Sequence, residues 1–298
     1  MTDREEAGLR GQVRICSTEC DRLSGDRHWV LRTTDTFLPE GHLLEQRHRN
    51  PDGSHWATIC RYDQYARILE KEQGDQRLSY HYDTFGRLER VMVHSPASGD
   101  RVYESVQYAA DGTKTKTFYP IPLDQAQRKS TSISVESMLH LSLDAVAIMT
   151  LLDTDDRAIR KVLYDADDRV IRRVVFRYDE RGLLLEEGEL IGGAIRDDFR
   201  NVYRYDALGR RIESDKRWGD LGGALRAFAY NEHGDKAEEI IQQNSGVMTE
   251  NTDARGWMQR FSYIYDEHEN WIERTTETIL NSGETSRSAI DRRELTYY

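Results

Sequence analysis

At 298 residues, with 38% hydrophobic side chains and a mean hydropathy of −0.77, the chain is polar, yet 16 Tyr, 7 Phe and 5 Trp at regular spacing are what a packed core needs. Its 42 Lys and Arg against 53 Asp and Glu leave a net charge of −11, which opposes phosphate backbones and argues against a nucleic-acid partner. Three cysteines make no disulfide framework, no Sec-type leader is visible and no run approaches the ~20 apolar residues of a membrane helix, so the expectations are a reducing compartment, no membrane span and a cytoplasmic location by default, a non-Sec export route leaving no mark.

Residues 1–25 begin with a polar lead, and 9–15 read as a first strand. Then a short unit recurs. A degenerate copy holds Phe37 and Gly41, followed by Tyr62-Asp63 with Ala66-Arg67, and by Tyr82-Asp83 with Gly86-Arg87-Leu88. Tyr108 with Gly112 follows. Beyond an interruption come Tyr164-Asp165 with Asp168-Arg169, Tyr178-Asp179 with Gly182, and Tyr205-Asp206 with Gly209-Arg210. Tyr230-Asn231 with Gly234, Asp253 with Gly256-Trp257, and Tyr265-Asp266 with Glu269-Asn270-Trp271 complete the series.

The unit is a hairpin corner. Asp or Asn at the first turn position accepts hydrogen bonds from the following backbone, and Gly three residues later supplies the positive φ a hairpin needs to leave with the correct twist. Where Asp168 or Glu269 replaces Gly, Asp tolerates the left-handed region better, so the corner at Glu269 is either strained or shifted onto Asn270.

Two residues before the tyrosine a large apolar side chain usually stands, such as Tyr80, Phe176, Tyr203, Phe228 or Tyr263, on the same strand face. Stacked over neighbouring strands, these pairs form one aromatic row, so each repeat gains a core from its neighbours. Second turn signals lie between the units at Gly53, Gly74, Gly99, Gly192, Gly222, Gly246 and Gly283. The reading is an all-β, antiparallel hairpin meander over a single 1–298 domain, with repeat arrays at about 26–118 and 153–298. Residues 119–152 interrupt it: Pro120 and Pro122 suit no central strand, and 138–152 is an apolar stretch of undecided type, read as an irregular insertion.

The Tyr-Asp-x-x-Gly-Arg-Leu units, intact at 82–88 and nearly so at 62, 178 and 205, resemble the YD repeats of RHS-repeat proteins, and the two ends of the chain look like those of short stand-alone bacterial members. That resemblance implies a wound β sheet; large members form a hollow shell around a toxin, with a self-cleaving aspartate motif ahead of it. This chain has no Asp-Pro dipeptide and no separate toxin-like segment. Roughly 20 strands at about 4.8 Å make a ribbon of about 95 Å, or about 30 Å across if closed, too wide for side chains alone to fill. The expected solution is a sheet that curls into a spiral or a partly closed form, or keeps a cavity fit for a peptide or glycan.

Chemistry-bearing patterns are sparse. Cys16 and Cys20 lie near His28, His55 and Cys60 in sequence, but two strand residues four apart stand about 13 Å from one another, too far for one ion. Asp153 to Asp156 and Asp165 to Asp168 lack the Gly and distal Glu of a calcium loop and read as turn aspartates. Ser137, His140 and Asp144 would share a helical face without an elbow or oxyanion hole. No catalytic residue, metal site or cofactor is expected. Trp218, Trp257 and Trp271 flank corners, where they either cap the core or stack on sugars or partner side chains; with His140 they are the binding candidates. The functional expectation is a non-catalytic binding or scaffold protein that engages a protein or carbohydrate over an extended sheet surface. The alternative is an RHS-type toxin-system component or enzyme with a site near 119–152.

Overall fold

The computed structural model describes residues 2–24, 27–96, 99–120, 145–219, 222–244 and 255–298. A single helical turn, α1 (Asp3–Glu6), precedes β1 (Val13–Ser24), β2 (Arg27–Phe37), β3 (Leu43–Arg49), β4 (His55–Tyr62), β5 (Ile68–Gln73), β6 (Gln76–Tyr82) and β7 (Leu88–Ser95). They are followed by β8 (Gly99–Tyr108), β9 (Lys114–Phe118), β10 (Ala147–Leu152), β11 (Ala158–Tyr164), β12 (Val170–Tyr178), β13 (Leu184–Ile191) and β14 (Ala194–Tyr205). The series ends with β15 (Arg211–Trp218), β16 (Gly223–Tyr230), β17 (Lys236–Asn244), β18 (Arg255–Tyr265), β19 (Trp271–Leu280) and β20 (Thr285–Tyr297).

Each strand pairs antiparallel with the next, β9 with β10 included, and β20 returns to pair with β1. The sheet is therefore a closed 20-stranded barrel, all antiparallel. This corrects the expected spiral or partly closed sheet. An open meander leaves two rows of unpaired backbone groups at its edges, and the pairing of Cys16 with Leu295 and Cys20 with Asp291 removes both.

The corners alternate between two ends of the barrel. At one end Asp63 Oδ1 accepts from the backbone of Tyr65 at 2.8 Å and of Arg67 at 3.0 Å, while Oδ2 takes the Arg67 guanidinium at 2.7 Å. Asp83, Asp153 and Asp206 repeat the arrangement with Arg87, Arg157 and Arg210. At Asp83 the backbone N–H of Arg87 and then its side chain hold the carboxyl below its ordinary range. Asp153, expected to be a turn aspartate, closes a full corner in which Leu152 stands where other units have Tyr. Glu269 carries the left-handed conformation itself, at φ 62°. The corner at Asp165 is genuine but lies at the opposite end, because only β11 separates it from Asp153. Gly256 is not a corner residue: it sits inside β18, and Asp253 falls outside the described residues. Of the segment read as an insertion, residues 147–152 form β10, and 121–144 lie outside the described residues.

The chain ends meet in the manner of a corner. The Tyr298 backbone N–H donates to Gln12 O at 3.1 Å, matching the bond from Asp63 N–H to Arg67 O at 2.9 Å. Leu9 packs with Val13, Cys16 and Phe37, and Arg10 reaches the carbonyls of His233 and Glu269, so residues 2–12 cover the corner end in this sector.

Side chains alternate between the two faces of the wall. Val93, Cys60, Leu163 and Val174 point inward and are buried. Outward positions carry cross-strand ion pairs, Arg61 with Glu70 and Glu72, Arg177 with Glu186, Arg260 with Glu238 and Arg292 with Glu273. The expectations of no membrane span and of a cytoplasmic location, drawn from the lack of a visible leader or apolar helix and from cysteine usage, are contradicted by the closed barrel. No helix among the described residues is long and apolar enough to cross a membrane, but a closed barrel is an architecture that crosses with strands.

Candidate binding groove on the inner wall

Register brings together residues that are far apart in sequence. Phe261 pairs with Thr276, Thr276 with Ala289, Ala289 with Arg22, and Arg22 with Trp29, so one inward row runs across β18, β19, β20, β1 and β2. A second row, one inward step along the strands, is Tyr263, Arg274, Asp291, Cys20 and Leu31. Small side chains at Thr276, Ser288 and Ala289 make the floor of a cavity of about 380 Å³, with Trp29 and Phe261 at its sides and Arg22, Arg274, Asp291 and Gln259 in its lining.

Asp291 is 1% exposed and holds both arginines. Its Oδ2 accepts from Arg274 Nε at 2.9 Å and Nη2 at 2.7 Å, and its Oδ1 lies 2.7 Å from Arg22 Nη1. A carboxylate so far from water is tolerable only with such partners. Burial, then the hydrogen bond and charge of Asp291, push the neighbouring Cys20 thiol up to about 11. Deeper in the same sector Arg293 lies over the Trp271 ring at 3.5 Å, burial works against its charge, and its Nε and Nη1 meet no acceptor among the described residues. Asp35 faces that region and accepts from Gln46 at 2.9 Å.

Elsewhere on the inner wall a second buried carboxylate is held by neutral donors. Glu187, 5% exposed, accepts from Asn201 at 2.9 Å and from Tyr203 Oη at 2.6 Å, which drives the Tyr203 hydroxyl pKa upward after burial itself.

The tryptophans all face inward. Trp218 and Trp271 are each 8% exposed, Trp257 is half-buried opposite Ile241, Trp56 stacks on His48 at 3.8 Å, and Trp29 flanks the groove. Of the sequence candidates, none lines this groove; Trp271 lies behind it under Arg293, and His140 is outside the described residues. Arg22, Trp29, Phe261, Arg274 and Asp291 come from both ends of the chain, and no local signal marks them as neighbours. Among the described residues no three His, Cys, Asp or Glu side chains converge to hold a metal ion.

No protein-family model matches the chain, and no curated protein matches it. Among solved structures, a chain of the TcdB2-TccC3-Cdc42 complex is 12% identical with a TM-score of 0.37, covering 90% of this chain and 16% of that one. A porin-like protein from Bacteroides uniformis is 8% identical with a TM-score of 0.39, covering 95% and 96%, and one from Bacteroides vulgatus is 11% identical at 0.32, covering 95% and 98%. This chain thus spans about a sixth of the toxin-complex chain it matches. With each of these TM-scores below 0.5, fold and site rest on this chain's own hydrogen-bond ladders.

Proposed function

We propose that the protein is a non-catalytic binding barrel that engages a protein segment or a glycan on its inner wall. The observation that carries this reading is the groove: two aromatic side chains flank a floor of small residues beside a charged cluster, in a cavity of about 380 Å³. That size and mixture of apolar walls with a few placed polar groups is typical of ligand sites. Among the described residues the closed ladder also leaves no free sheet edge for strand addition, so recognition falls to side chains. The extended surface expected from the repeats is then the inside of the barrel.

Peptide and glycan arrays probed with the wild-type protein and with the Trp29→Ala/Phe261→Ala variant test this. Capture by the wild type that the double variant loses supports the inner wall. Capture that survives in the double variant but disappears on substituting the outward Arg61 and Glu70 overturns it.

A further inference from the structure

The charge balance of the groove goes beyond its shape. Asp291 is the one carboxylate in the cavity lining, against the guanidinium groups of Arg22 and Arg274. Arg274 commits Nε and Nη2 to hydrogen bonds with Asp291, whereas Arg22 faces Asp291 Oδ1 as an ion pair at 2.7 Å. The side chains of Arg22 and Arg274 are each 32% exposed, so charged donors remain turned toward the cavity in a chain whose net charge is −11. Arg293 lies outside the cavity lining, with Asp35 and Asp235 nearby, so the groove's own balance is two guanidinium groups against one carboxylate.

We infer that this groove is a carboxylate subsite, taking a ligand with a flat apolar body and an acidic group; the inference rests on the inner-wall reading above and adds the ligand's chemistry. The flat body lies on the floor of Thr276 and Ala289 between the Phe261 and Trp29 rings. Those rings stand four strand spacings apart, about 19 Å between backbones, which leaves room for a two-ring aromatic system. Its carboxylate meets the partly exposed guanidinium groups of Arg22 and Arg274 in charge-assisted hydrogen bonds. A cationic ligand would face the net positive charge of the cluster, and a neutral one would leave donors desolvated without an ionised acceptor.

An isosteric series separates the terms: 2-naphthoate, 2-naphthamide and 2-naphthylmethylamine, titrated calorimetrically into the intact protein. The expected order is carboxylate first, tighter than the amide by about tenfold, with the amine weakest. Arg22→Gln should cut the preference for carboxylate over amide to less than about threefold, and Arg22→Lys should keep most of it, since the charge remains. Arg61→Gln, on the outer face, should change nothing. Thermal melts confirm that each variant is folded, and Arg274→Gln repeats the test from the second arginine. Equal binding of acid and amide overturns the inference, as does a preference that survives in both Gln variants. If none of the three probes binds while array capture still depends on Trp29 and Phe261, the carboxylate subsite fails and the inner-wall reading stands.

Discussion

The hydroxyl of Tyr82 donates to the carbonyl of Ile68 at 2.8 Å, tying each corner to the one before it. The same bond joins Tyr62 to Leu43, Tyr108 to Leu88, Tyr178 to Ala158, Tyr205 to Leu184 and Tyr230 to Arg211. Between them lies the previous corner's arginine, with Arg67 over the Tyr82 ring at 4.8 Å and Arg87 over the Tyr108 ring at 4.2 Å. The motif tyrosine thus acts between units, through a hydrogen bond and a cation–π contact. Tyr82→Phe keeps the ring and removes the donor to Ile68 O. It should lower stability by about 1 kcal/mol in denaturant titration. Substituting Tyr65, an exposed corner-tip residue at 69%, should cost less. Equal losses at the two positions would remove the inter-unit role from the Tyr82 hydroxyl.

Gly86 has two duties where Gly53 has one. Both hold positive φ, 77° and 84°, but a Cβ on Gly86 would come 2.8 Å from Arg67 Nη1, whereas one on Gly53 meets nothing within 4 Å. Gly53→Ala should therefore cost about 1 kcal/mol from backbone strain alone. Gly86→Ala should cost somewhat more, because Arg67 must leave its place beside Tyr82, and that excess should vanish in an Arg67→Ala background. A double-mutant cycle reads the difference directly. An excess that persists without Arg67 would have to come from the backbone.

Cys20 provides an internal pH reporter. Its folded pKa is raised from 9.0 to about 11, first by burial and then by Asp291. The folded state holds the thiol proton more tightly than the unfolded chain does, so this contribution to stability is complete below pH 9 and is lost as pH rises through about 11. Since only the thiolate reacts, alkylation of Cys20 at pH 8 should run about a hundredfold slower than that of an unperturbed thiol, and its rate should still climb about tenfold per unit at pH 10. Peptide mapping after pulsed alkylation of the folded protein resolves Cys20 from Cys16 and Cys60. A Cys20 rate that levels off near pH 9 would contradict the placement of its thiol beside Asp291.

Much of the architecture is local, and local chemistry is legible in a sequence. Asp83, Gly86 and Arg87 close their corner with bonds that span four residues, so their spacing alone announces a hairpin, and the two-residue period around Tyr80 and Tyr82 announces a strand with one inner face. Even an incomplete corner reads correctly when its Asp and positive-φ residue remain, as at Asp165 and Asp168. Gly256 shows the limit: its surroundings look like a corner, but pairing with Gln242 places it within a strand.

The closure, and with it the groove, depends on partners that the sequence separates by most of its length. Nothing in Val13 or Tyr297 says that they pair, because a strand edge is complementary to any other strand and only the accumulated twist and stagger of twenty strands bring β20 beside β1. The inward direction of Trp29 and Arg22 is also a property of the ring. Corners such as those after Tyr62 and Tyr82 insert a bulge that resets which side chains face inside, between Arg61 and Tyr62 and between His81 and Tyr82. The sequence by itself therefore determined the repeating hairpin, its corners and its aromatic row. Only the tertiary structure decided that the meander closes, which face lines its interior, and that Asp291 draws Arg22 and Arg274 together between Trp29 and Phe261. Hairpin hydrogen bonds are short-range, whereas closure and register are set by the geometry of the whole sheet.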